Sequence, residues 1–560
     1  MTSRRSRLHE RPVSLQTVNS AVAALFTVTA VPLIGRALLA VGADMRAGPG
    51  TWVALALGIY AVNQLLLGLT VFRWSYRVAL PGLLLLHAVA VYFSAAYGVV
   101  IDPSMMRNVA VTDWREATEY VTPVLALVVL TGAVLPSVII WRLQVPRMPT
   151  PWSIGLRGFW LLVWASFLLL MLVSAFDGLA SMMRGHKHVR YLIAPANVLV
   201  ASVRVLIEVP RGKPAQRTPI SHAPRQAPHP ENARPHVLVL VVGETARAAN
   251  WGLNGYRRQT TPELARRQVI NFPDVTACGT STEVSVPCLF SVQGRHNYDA
   301  RAITTSESLL HLLNRAGVAV AWRDNQTGCK GVCTGLPFES FRGARDSVLC
   351  DAGICRDEVL LIGLKARLQT LRSDAVIVLH PLGNHGPAYF RRYGPELRRF
   401  TPDCQTADLT RCTDAEIVNA YDNALLAADQ MLGRTIDLLA SIPQIDSAML
   451  YVSDHGESLG ENGLYLHGVP QAIAPDVQMK VPMVLWLSPG MRTSMGIDEA
   501  CVRRRAKQPA EHDNVFHTVL GFMDLRIDRY ERSHDLLAEC RRPTRWSAPT
   551  QRAAVTAETR

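Results

Sequence analysis

Apolar positions follow two rhythms along this chain. In the first 180 positions they form five long runs, near residues 17–42, 52–72, 79–101, 121–141 and 158–179. Roughly 20 apolar residues cross a hydrocarbon core, so each run predicts a membrane-spanning helix. Beyond residue 210 the runs shorten to strand length: "HVLVLVVGET", "VAVAWRD", "AVIVLH", "SAMLYVSDH" and "VPMVLWLS". They are β-branched, nearly unbroken and separated by helix-length segments, which predicts an α/β domain with a largely parallel sheet covered on both faces. Between the two rhythms, "RGHKHVRYLIAPANVLVASVRVLIEV" mixes basic and apolar residues at helical spacing, as a surface-lying helix does. The following "PRGKPAQRTPISHAPRQAPHPENARP" has little to bury and reads as a linker. The expected organisation is an anchor over 1–180, interfacial helices and linker over 181–235, the α/β domain over 236–540 and a disordered tail over 541–560.

Charge sets the orientation. Basic loops stay cytoplasmic, and "RRSRLHER" opens the chain. The second and fourth connections add Arg73, Arg77, Arg142, Arg147 and Arg157, against Arg46, Arg107 and Arg115 in the first and third. The N-terminus is therefore expected inside, and five crossings put the α/β domain outside. A cleaved signal peptide in place of the first span would leave that domain outside as well.

All ten cysteines lie beyond residue 270 as near neighbours: Cys278 and Cys288, Cys329 and Cys333, Cys350 and Cys355, Cys404 and Cys412, then Cys501 and Cys540. An even count confined to the external domain predicts five disulfides in an oxidising compartment, and no paired CxxC supports a zinc ribbon. The net charge of +13 comes from dispersed basic residues, and the domain faces away from the cytoplasm, so an anionic membrane or lipid is the expected partner and nucleic acid is not.

In open α/β sheets ligands sit beyond the carboxyl ends of the strands. Three of the runs end there in possible metal ligands: Glu244, His380, and the pair Asp454 and His455. Carboxylates and imidazoles converging on one sheet edge suit zinc or manganese, with strand-end capping as the plainer alternative. The stretch "DVTACGTSTEVSVPCLF" sets hydroxyl residues between two cysteines. Thr280 and Glu283 match a capping box at a helix start. A hydroxyl at a helix N-terminus also suits phosphoryl chemistry, once a base or metal helps it ionise.

The blocks "VVGETARAANWGLNGYRRQTTP", "TACGTSTEVSVPCLFS", "DNQTGCKGVC", "HPLGNHGPAYFRRY" and "SDHGESLGENGLYLHG" resemble the signatures of the lipid A phosphoethanolamine transferases. The likeness extends over essentially the whole chain. It implies a five-helix transmembrane domain plus a periplasmic domain of alkaline phosphatase/sulfatase fold, in a zinc-dependent inner-membrane enzyme expected as a monomer. By the same resemblance Thr280 is the nucleophile, and Glu244, Asp454, His455 and Thr280 hold zinc. Lys330, His380, His385 and His467 would bind phosphate groups, shuttle protons or hold a second zinc. Thr327 stands where relatives carry serine, and Asn108, Thr112 and Glu116 would help bind the donor lipid.

The implied reaction moves phosphoethanolamine from phosphatidylethanolamine to a lipid A phosphate through an ester on threonine, with resistance to polymyxin and cationic peptides as the outcome. Phosphoethanolamine transfer to heptose, Kdo or another surface glycan, and phosphoglycerol transfer, stay open as alternatives. A sulfatase would carry C/S-x-P-x-R, which "CGTSTEVSVPC" lacks. A non-catalytic envelope scaffold would not need the nucleophile and ligands together.

Overall fold

The computed structural model describes residues 13–40, 49–112, 114–146, 149–176, 178–179, 187–208, 217–227, 233–351 and 354–541. The expected tail falls outside these residues, apart from Arg541. The chain forms two compact units.

The first unit carries five helices long and apolar enough to cross a membrane: Leu15–Ala40, Pro49–Thr70, Tyr76–Tyr97, Pro123–Arg142 and Thr150–Ser174. The fifth starts at Thr150 rather than near 158. It accommodates Arg157 because the guanidinium lies 3.7 Å from the centre of the Phe72 ring and donates to the Val71 carbonyl at 3.3 Å, a snorkelling arrangement. A short helix, Pro103–Val111, follows the third span, capped by Asp102, whose carboxylate accepts the Met105 N–H at 2.9 Å. Two distant segments, Ala407–Arg411 and Ser458–Ile473, belong to this unit rather than to the α/β unit in which the sequence reading had put them.

The second unit is built on an eight-stranded sheet. In chain order its strands are β1 (His236–Gly243), β2 (Ile270–Thr276), β3 (Ala319–Asp324), β4 (Phe338–Ser340), β5 (Ala375–His380), β6 (Asp446–Ser453), β7 (Lys480–Leu487) and β8 (Ala510–Glu511). They lie in the order β8-β2-β7-β6-β1-β5-β3-β4. All pairs are parallel except those of β7, which runs antiparallel to both neighbours. Val237 to Val242 are wholly buried, as an unbroken apolar strand covered on both faces requires. The helix Asp414–Ala440 starts in a capping box, where Glu416 accepts the Thr413 N–H at 2.8 Å and Thr413 accepts the Glu416 N–H.

Strand alternation positions the site. Leu238, Leu240 and Val242 of β1, Val376 and Val378 of β5, Val320 and Trp322 of β3, and Ala448, Leu450 and Val452 of β6 share one core cluster. With a side-chain period of two, the next positions on that face are Glu244, His380, Asp324 and Asp454. They sit at one edge of the sheet, where the strands end.

The five expected disulfides all form, each between sequence neighbours. Cys278 pairs with Cys288, Cys329 with Cys333, Cys350 with Cys355, Cys404 with Cys412, and Cys501 with Cys540. Four of them close loops of ten residues or fewer, so they fix local turns rather than the packing of distant elements. Cys350 and Cys355 also face each other across a two-residue antiparallel ladder. The fifth, Cys501 to Cys540, is the longer-range tie: it fastens the last described residues of the chain to the helix Glu499–Arg505.

The proline-rich connection is not a free linker where it is described. Thr218 donates its N–H to Thr305, Ile220 enters the core cluster, and Arg225–Gln226 pairs antiparallel with Leu525–Arg526. Prolines leave the chain extended, and an extended chain can lay its backbone groups along a neighbouring surface.

Candidate active site

Glu244, Asp454 and His455 offer ligand atoms that all lie within 4.8 Å of one another. Each residue is at most 1% exposed. The His455 Nδ1 faces the Gly456 carbonyl at 2.9 Å and must donate to it, so in the neutral ring Nε2 keeps its lone pair. That nitrogen lies 3.5 Å from Glu244 Oε1 and 3.5 Å from Asp454 Oδ2. Three electron-rich atoms thus meet in a dry site. Burial and the Asp454 charge push the Glu244 carboxyl well above its ordinary range, against the opposing pull of His385, Thr282 and Lys330. This donor set fits a borderline divalent cation such as zinc.

Thr282, two residues after the expected Thr280, sets its hydroxyl against this cluster. Thr282 Oγ1 lies 3.0 Å from Glu244 Oε2, 3.2 Å from Oε1 and 3.3 Å from His455 Nε2. The reason is where the helix begins. Ser281, extended at φ −150° and ψ 150°, is the N-cap of the helix Thr282–Leu289, so the helix starts one residue later than a capping box from Thr280 to Glu283 expects, with Thr282 as its first residue. The Cys278–Cys288 disulfide ties the turn to the far end of this helix, and Ser285 Oγ accepts the Gly279 N–H at 3.0 Å.

A family model described as sulfatase matches residues 236–525, and one described as phosphoethanolamine transferase EptA/EptB matches residues 59–208. The phosphoethanolamine transferase EptA of Escherichia coli K12 is 38% identical over 504 residues, covering 88% of this chain and 90% of that protein. The chain belongs to the phosphoethanolamine transferases. A phosphatidylethanolamine transferase of E. coli, Mcr-1, is 39% identical over 476 residues, covering 82% of this chain and 86% of its own. The solved lipooligosaccharide phosphoethanolamine transferase A of Neisseria meningitidis has a TM-score of 0.89 at 35% identity, covering 93% of this chain and 99% of that one. In this family setting the protein is a multi-pass inner-membrane enzyme with a periplasmic α/β domain.

Around this transferase's cluster the structure sorts the remaining residues read from sequence. Lys330 lies inside the small loop closed by Cys329 and Cys333. Its Nζ donates to Thr327 Oγ1 at 2.7 Å and lies 3.9 Å from Glu283. The His380–Pro387 loop wraps the backbone of Glu244: Asn384 donates its N–H to the Glu244 carbonyl at 3.0 Å. Gly383 sits there at φ 55°, and a Cβ on it would come within 2.7 Å of that carbonyl oxygen, so only glycine fits. His385, 4% exposed, is close enough to stabilise the Glu244 charge.

His380 ends its strand beside Asp324 and Trp322. It is wholly buried on the core face, its Nδ1 bonded to Asp324 at 2.8 Å and its ring edge-on to Trp322. His467 belongs to the membrane unit, where its neighbour Gly468 (φ 86°) abuts Met105 and Asn108. Asn108 and Thr112 lie at the end of the Pro103–Val111 helix, where Thr112 Oγ1 donates to the Asn108 carbonyl at 2.8 Å. The side chain of Glu116 lies outside the described residues.

Three residues escaped the sequence reading. Gln326 donates to Glu244 Oε2 at 3.0 Å. Asp357 accepts the Leu382 and Gly383 N–H groups at 2.7 and 2.8 Å, fixing the loop over Glu244. His512 accepts the Cys278 N–H at 3.1 Å and donates to the Ser453 carbonyl at 2.9 Å, joining the threonine turn to the strand that carries Asp454.

Proposed function

We propose that this protein transfers phosphoethanolamine from phosphatidylethanolamine to a phosphate of lipid A, through an ester on Thr282. The observation that carries the reading is the Thr282 hydroxyl at a helix N-terminus, 3.0 Å from Glu244 and 3.3 Å from His455. The donor is supported by the phosphatidylethanolamine transferase among its relatives, and the acceptor by the lipooligosaccharide transferase. Glu244, Asp454 and His455 would hold zinc. Zinc, when bound, would make the threonine hydroxyl more acidic and offset charge on the phosphoryl group.

In the first half-reaction Thr282 Oγ passes its proton to Glu244 Oε2, 3.0 Å away, and attacks phosphorus. The bond from phosphorus to the glycerol oxygen breaks, and diacylglycerol leaves with a proton from a nearby histidine, for which His385 is the candidate. The N-terminal turn of the Thr282–Leu289 helix would offer backbone N–H groups to the phosphoryl oxygens. Lys330 adds positive charge there. In the second half-reaction an oxygen of the lipid A phosphate attacks the same phosphorus, and Thr282 leaves and regains its proton. Asn108, Thr112, Glu116 and His467 would serve the donor lipid. A cationic amine on the lipid A phosphate lowers the surface charge that polymyxin and other cationic peptides bind, hence resistance.

The test uses the purified full chain with phosphatidylethanolamine and no acceptor. Fragmentation mass spectrometry should find one phosphoethanolamine on Thr282, lost in Thr282→Ala and kept in Thr280→Ala. The reverse pattern would return the role to Thr280, and no modification in either would sink the covalent step. Lipid A mass spectra of cells with and without the protein then decide the acceptor.

A further inference from the structure

Lys330 and the metal-site carboxylate Glu244 are joined by an unbroken chain of hydrogen bonds whose direction is fixed at every link. Lys330 Nζ has only protons to give, so Thr327 Oγ1 accepts from it at 2.7 Å. The Thr327 hydroxyl proton then goes to Gln326 Oε1 at 2.5 Å. The same oxygen also takes the Thr327 backbone N–H, which can only donate. That settles which end of the amide is which: Nε2 points the other way and donates to Glu244 Oε2 at 3.0 Å. Gln326 is 3% exposed and Glu244 1%, so the link between them is shielded from bulk water.

The chain also distinguishes the two oxygens of Glu244. Oε2 receives Gln326 and lies 3.0 Å from the Thr282 hydroxyl, while Oε1 faces His455 Nε2 at 3.5 Å. From this geometry we infer that Gln326 is a positioning residue, which holds the Glu244 carboxylate so that Oε1 is presented to the cation and couples that carboxylate to Lys330 through Thr327. The inference rests on the reading of Glu244, Asp454 and His455 as a zinc site. An amide suits the task because one rigid plane carries both an acceptor for Thr327 and a donor for Glu244. A carboxylate would put a second negative charge against Glu244, and an alkyl group would leave Oε2 without this donor. Partners of this kind around a metal ligand are worth about 10–100-fold in metal affinity.

The experiment measures zinc affinity of the full chain in detergent, by competition with a chromogenic chelator, for wild type, Gln326→Leu, Gln326→Glu, Thr327→Val and the Gln326→Leu/Thr327→Val pair. Melting of each metal-free form is measured alongside. Gln326→Leu should lose about 10–100-fold in zinc affinity, with the metal-free melting temperature within a few degrees of wild type. Gln326→Glu should lose at least as much. Thr327→Val should lose less, and the pair no more than Gln326→Leu alone, because both act along one chain. Tight zinc binding by wild type and equally tight binding by Gln326→Leu would overturn this role while leaving the metal site standing. If Gln326→Leu does not fold, Gln326→Glu and Thr327→Val carry the test, and wild-type zinc affinity in both overturns the role. A wild type that binds no zinc would remove the metal reading and this inference together.

Discussion

Which of three consecutive hydroxyl residues faces the metal cluster depends on where a helix starts. Ser281 is extended and Thr282 is the first helical residue, so the backbone changes course between them and their side chains leave the turn differently although their chemistry is similar. The sequence marks the turn but not its phase: the Thr280–Glu283 pattern and the start at Thr282 differ by one residue, a margin that packing decides. Glu244, Asp454 and His455 were legible for the opposite reason: each follows directly on a buried strand whose length the apolar run defines. Gln326 and His512 could not be found this way, since their partners are 82 and 234 residues distant. Asp429 shows the same limit. It lies within the Asp414–Ala440 helix, wholly buried, and accepts the Glu263 and Leu264 N–H groups at 2.6 and 2.9 Å. Burial raises its carboxyl from the usual 3.8 to about 7. Between those values the native state holds a proton that the unfolded state has lost, so this residue's contribution to stability falls as pH rises from about 4 to about 7, at up to about 1.4 kcal/mol per pH unit. Asp429→Asn should flatten that slope in denaturant melts across this range, and an unchanged slope would show that Asp429 does not titrate there.

Among the elements, long buried strands were legible and short or interrupted ones were not. β1, β5, β6 and β7 follow from their apolar runs, whereas β2 is broken by Pro273 and β4 and β8 are too short to carry a pattern. The threonine turn needs one of these short elements. β8 leads into His512, which stands at the start of the helix Asp513–Phe522 and clamps Cys278 to Ser453. His512→Ala would leave a buried N–H and a buried carbonyl without these partners, at a cost of about 1–3 kcal/mol each. The expected result is a lower melting temperature together with slower phosphoethanolamine loading of Thr282, partly restored by His512→Asn, which keeps one donor and one acceptor. Burial lowers the His512 pKa from 6.5 to about 4. The unfolded state then binds the extra proton first, so the clamp's contribution fades as pH falls from about 6.5 towards 4. Full loading by His512→Ala at wild-type stability would show that the turn holds its shape without the clamp.

At the scale of the whole molecule, the membrane unit carries its own record of orientation. The Val13 N–H donates to the Gln144 carbonyl at 3.2 Å. Arg73 donates to the carbonyls of Pro146 and Val145, and Trp141 Nε1 donates to the Arg77 carbonyl. Val13, just before the first span, and the second and fourth connections therefore gather at one end of the five-helix bundle, as an alternating passage of five spans requires. That end bears Arg73, Arg77, Arg142 and Arg157, so it is the cytoplasmic one. Charges and parity were legible in the chain before folding, whereas the contacts that bind the connections together were not. Thiol labelling can check the assignment without interference, because every native cysteine is in a disulfide. Trp74, 83% exposed in the second connection, and Val121, 67% exposed in the third, are suitable positions for a single added cysteine. In intact cells a membrane-impermeant maleimide should label Val121→Cys at once and Trp74→Cys only after lysis. The opposite order would put the Arg-rich end outside and the α/β unit in the cytoplasm, where five disulfides would not persist and where lipid A at the outer leaflet could not be reached.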